Sequence, residues 1–183
     1  MSIKQLNTTY LLQEDRILFR INTHANEEFV FLFTRRIALF LLAATEHLVE
    51  KQLEQRHDPA TAKAVADFEK KSLVDIGSTG PEFETGENFP LGQVPVLVLE
   101  VTCSIAPPDQ ASGEAMFSID FVLANDQSIN LTLPKSMLIA MRLLLENLCD
   151  QASWGRAVIA TNPADAVAAS VSVDIPGGSG TVH

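Results

Sequence analysis

The sequence predicts an α+β protein, an antiparallel or mixed sheet of about five to six strands with two long helices on one face. Two observations predict this class. Two regions alternate apolar and polar side chains at every other residue, and each runs directly into an apolar stretch of helical period. The two regions also correspond without a gap at an offset of 100 residues: Phe19 with Ile119, Phe31 with Leu131, Ile37 with Met137, Leu48 with Leu148. Identities between them are few, so the pattern indicates pseudo-repeated hairpin-helix units and says nothing of ancestry.

Tyr10-Leu11-Leu12 opens the first unit as a short strand. Ile17, Phe19 and Ile21 alternate with Leu18, Arg20 and Asn22, and Phe29, Phe31 and Phe33 alternate again after the turn-forming Asn22-Thr23-His24-Ala25-Asn26. Thr34 stands where a helix N-cap belongs. Behind it Ile37, Phe40, Leu41, Ala44 and Leu48 form one stripe, and the helix is expected to reach Glu54. Asp58-Pro59 starts a second helix, Asp as cap and Pro in the first turn, ending near Lys71. Ser72 to Gln93 is rich in Gly, Pro and Glu and predicts a surface connection.

The second unit begins with Val94 to Ile105, where Val96-Leu97-Val98-Leu99 is apolar on both faces, as in a central strand. Pro107-Pro108 ends it. Phe117, Ile119 and Phe121, then Ile129, Leu131 and Leu133, form a hairpin around Asn125-Asp126. Pro134 precedes a helix from Lys135 to about Asp150, closed by Trp154-Gly155. The organisation expected is one domain over 1–160, divided into a hairpin-helix unit 10–57, a connecting helix 58–71, a linker 72–93 and a strand-hairpin-helix unit 94–155. Residues 161–183 form a tail in which Val171, Val173 and Ile175 could make a short strand.

Charge limits the partners. A formal net charge of −10 repels phosphate backbones and anionic lipid, and the basic pairs Arg35–Arg36 and Lys70–Lys71 are too short to reverse it. The expectation is therefore no nucleic acid and no membrane. Met1 to Asn7 carries no apolar run, and Ile37 to Ala44 is far shorter than the roughly 20 residues of a membrane helix, so a cytoplasmic location is expected. Cys103 and Cys149 fall in apolar elements and read as buried thiols.

Few residues suggest chemistry. His47, Glu50, Glu54 and His57 lie within an arc of roughly 80° on a helix, the residue types a zinc or di-metal site uses. That arc is centred about 130° from the apolar stripe, which favours a solvated face of charge pairs over a sheltered metal site. Arg35 and Arg36 stand at the positive end of a helix dipole, where they either pair with acidic groups or take an anion or acidic partner together with free amides. No phosphate loop, dinucleotide fingerprint or nucleophile elbow is present; Gly178-Ser179-Gly180 has the wrong frame. No cofactor is implied.

The two hairpins differ on their outer faces. The second shows Ser128, Asn130 and Thr132, whereas the first shows Val30 and Leu32. A strand apolar on both sides must be covered on both, by the helix from Asp58 or by another chain. Val30 and Leu32 are thus the candidate interface. The function expected is a non-catalytic protein-interaction or assembly protein, self-associating as a homodimer. The alternative is a small-molecule binder or enzyme with a pocket between sheet and helices.

Overall fold

A computed structural model describes residues 3–54, 58–77 and 82–155. Strands β1 (Ile3–Leu11), β2 (Arg16–Thr23) and β3 (Glu28–Thr34) lead into helix α1 (Arg35–Glu54), followed by α2 (Pro59–Gly77). Strands β4 (Val96–Ala106), β5 (Met116–Leu123) and β6 (Ser128–Pro134) then lead into α3 (Lys135–Gln151). The strands form one mixed sheet in sequence order, antiparallel except for the central β3–β4 pair, which is parallel through Phe31–Val96 and Leu32–Leu97. The α+β class predicted from the sequence is therefore the observed one.

Alternation sets the core. Ile17, Phe19, Ile21, Phe31, Phe33, Phe117, Ile119, Phe121, Leu131 and Leu133 are fully buried and belong to a single cluster with Ile37, Leu41, Leu48, Leu138, Met141 and Leu145 from the helices. α1 packs on β4, β3 and β2, α3 on β1, β6 and β5, and the two helices on each other. α2 packs on α1 and α3, not on the outer side of Val30 and Leu32. The two hairpins share one geometry. Thr23 N–H donates to Glu27 O at 2.9 Å and Leu123 N–H to Gln127 O at 2.9 Å. Asn26 and Asp126 adopt left-handed φ of 62° and 61°, a conformation these two residue types tolerate.

Two boundaries and the course of one connection differ from the sequence reading. β1 spans nine residues, starting at Ile3 and not Tyr10. Its Lys4, Gln5, Asn7, Thr8 and Thr9 hide the apolar alternation because this edge strand gives only Ile3, Leu6 and Tyr10 to the core. α2 runs on past Lys71 to Gly77, because the Gly- and Pro-rich composition that signals a loop starts at Gly77 and not at Ser72. The connection that follows is more than a surface loop: residues 82–88 cross the outer face of β1, β2 and β3 as a strap. No helix among the described residues is long and apolar enough to cross a membrane. The expected strand at Val171–Ile175 and the rest of the tail lie outside the described residues.

The thiols sit deep. Cys103 and Cys149 are buried and unbridged, and burial pushes them up to about 12 and about 11. Neither should react with a soluble disulfide reagent at pH near 8 while the chain is folded, and both should react in denaturant. A stoichiometric titration of the native protein checks this.

Candidate functional site

Sequence-selected residues scatter. His47, Glu50 and Glu54 are half-buried on α1, and Glu54 accepts from Lys51 Nζ at 2.8 Å within its own helix. No cluster of His, Cys, Asp or Glu able to hold a metal occurs among the described residues, and His57 lies outside them. Arg35 and Arg36 are exposed, and each donates to a carbonyl of a distant element: Arg35 to Trp154 O at 2.7 Å, Arg36 to Leu99 O at 3.1 Å. Arg36 also lines a cavity of about 20 Å³ with Phe40, Leu99 and Glu100, room for a single water.

Arg35 belongs to a clamp at the base of α3. Asp15, at the β1–β2 turn with φ 50°, accepts from Tyr10 Oη at 2.7 Å and from Trp154 Nε1 at 2.8 Å. The Tyr10 and Trp154 rings meet edge to face at 5.7 Å. Hydrogen bonds from Tyr10 and Trp154, with a smaller contribution from the Arg35 charge, hold the Asp15 carboxyl below the usual aspartate range. A carboxyl depressed by folding contributes stability at pH values above its unfolded value, and that contribution disappears as pH falls through the folded value. Trp154 is the only tryptophan, so its emission should change on acidification below about pH 4, the ordinary aspartate range. Asp15→Asn, which keeps the left-handed backbone, should abolish that transition in a fluorescence titration.

The outer sheet face is where unassigned features converge. Pairing places Gln5, Asn22 and Glu28 in one row across β1, β2 and β3, Asn7, Arg20 and Val30 in the next, and Thr9, Leu18 and Leu32 in a third, which continues to Leu97 on β4. The strap lies on the first two rows. Gln5 closes a two-bond amide pair with it, accepting from Glu84 N and donating to Glu82 O, both at 3.0 Å. Asn22 Nδ2 donates to Glu84 O at 2.6 Å, and Gly86 N donates to Glu28 Oε2 at 2.9 Å. Glu28 N–H then donates to Asn88 O at 2.7 Å. Arg20 pairs with Glu28 at 2.6 Å and covers the Phe83 ring at 4.5 Å.

No family model, curated protein or solved structure matches the chain.

The third row is left to other contacts. Val30, beside the strap, is only 7% exposed within the single chain, whereas Leu18, Leu32 and Leu97 are half-buried, and Val122 on β5 is 41% exposed. Beyond them the face turns polar: Asn130 Nδ2 donates to Ser118 Oγ at 2.6 Å and Asp120 Oδ1 at 2.7 Å, and Thr132 Oγ1 to Asn130 Oδ1 at 3.1 Å. Of the two candidate interface residues, the chain itself encloses Val30, while Leu32 keeps a partly open face. Sequence reasoning passed over Gln5, Asn22, Glu28 and Gly86. The available signal was Asn22 and Glu28 interrupting an apolar hairpin, with a phenylalanine at 83 inside an otherwise polar connection.

Proposed function

We propose that this chain is a non-catalytic interaction or assembly protein that self-associates as a homodimer in the cytoplasm, with the outer sheet face as its contact. The observation that carries the reading is the row Leu18, Leu32 and Leu97, flanked by the strap on one side and by the Ser118–Asn130–Asp120 ladder on the other. An apolar centre within a polar rim is the anatomy of a protein contact. A net charge of −10 makes nucleic acid an unfavourable partner. Light scattering should give the mass of two chains. Leu32→Asp and Val122→Asp should each weaken association by about tenfold or more, since a charge would be buried at the centre of the contact. A single-chain mass for the unaltered protein at all concentrations would overturn the reading.

A further inference from the structure

The geometry points to a second binding site on this face: Gln5, Arg20, Asn22 and Glu28 form a peptide-recognition site, which residues 82–88 of the same chain occupy as an autoinhibitory strap. The site does not depend on self-association, which uses the neighbouring row of leucines. Recognition here is of main chain. Gln5 takes both an N–H and a carbonyl, Asn22 a carbonyl, and Glu28 an N–H, so peptide groups and not one particular side-chain set supply the hydrogen bonds. Such bonds give affinity for any segment that fits, and contacts to its side chains give selectivity.

Three features define the segment. A glycine is required at the fourth contact, because a Cβ on Gly86 would stand 2.8 Å from Glu28 Cβ and 2.9 Å from Glu28 N. An aromatic residue three places earlier meets the Arg20 guanidinium, as Phe83 does. An acidic residue between them meets Lys4, as Glu84 does. The partner is therefore another protein presenting a Phe-acidic-x-Gly segment.

The strap has the character of a replaceable occupant. Glu82, Glu84, Thr85, Glu87 and Asn88 are exposed, with Phe83 half-buried and Gly86 buried, so polar contacts hold most of the strap, and segments held this way open at a cost below global unfolding. Asn22 Oδ1, on a side chain 1% exposed, finds no donor among the described residues, an acceptor that a competing peptide N–H could satisfy.

The test uses a fluorescently labelled peptide with the sequence of residues 82–88 and the full chain in three forms: unaltered, Gly86→Val, and with residues 82–88 replaced by a Gly-Ser linker of equal length. Anisotropy should show that the two altered chains bind the peptide at least about tenfold more tightly than the unaltered chain, and that a peptide with alanine in place of its glycine loses binding by a similar factor. Asn22→Ala in the linker form should also weaken binding. Folded altered chains that do not take the peptide would overturn the proposal. So would loss of the native circular dichroism in both, which would make the strap an indispensable part of the fold.

Discussion

Phe121→Ala should lower stability by about 3–5 kcal/mol, the range for emptying a fully enclosed phenylalanine site, and should weaken both halves of the chain together. Phe121 sits on β5, yet its ring meets Phe31 at 5.4 Å and Phe33 at 5.5 Å, both on β3 and both at 66°, reaching past the intervening β4. Phe33 in turn stacks on Phe19 at 4.9 Å. This aromatic chain crosses the parallel junction, where the hydrogen-bonded register covers only two residue pairs, so side-chain packing carries much of the joining of the two hairpins. Urea unfolding checks it. Circular dichroism and Trp154 emission should shift to lower midpoints by the same amount and remain coincident. Phe68, 74% exposed on α2, provides the contrast: its truncation should change stability by no more than about 0.5 kcal/mol.

Arg20→Met should cost about 3–5 kcal/mol, out of proportion to a residue whose side chain is still 27% accessible. The loss comes from the partner. Glu28 is 1% exposed, and Arg20 at 2.6 Å is its cationic neighbour; methionine preserves the aliphatic stem and leaves a buried carboxylate with the Gly86 N–H. Exchanging both together, Arg20→Met with Glu28→Gln, should recover a substantial part of the loss, since the amide retains an acceptor for Gly86 and carries no charge. A thermal-melt double-mutant cycle measures the coupling.

The sequence revealed elements with a regular apolar period. Ile17 to Phe33 and Phe117 to Leu133 announce themselves because every second residue is apolar, and Thr34 with Ile37 marks α1 through a cap bond that the structure holds at 3.4 Å. β1 was legible only in part: its Lys4 and Gln5 meet the strap, a partner distant in sequence, so no local period reveals them. The strap was illegible for the same reason. Gly86 reads as a loop residue until Glu28 is placed beneath it, and Gln5, Asn22 and Glu28 become a row only once three strands are in register. The metal and arginine candidates illustrate the converse. Helical spacing puts His47, Glu50 and Glu54 on α1, while Arg35 and Arg36 turn to backbone carbonyls that the sequence could not have placed beside them.

Methyl-resolved NMR over a concentration series tests most directly that the outer sheet face is the contact surface. As concentration rises, the methyl signals of Leu18, Leu32, Leu97 and Val122 should shift together, while those of Leu41, Leu138 and Leu145 in the core hold still. Shifts confined to the exposed side of α2 around Ala60 and Ala64, or no shifts at any concentration, would contradict the account.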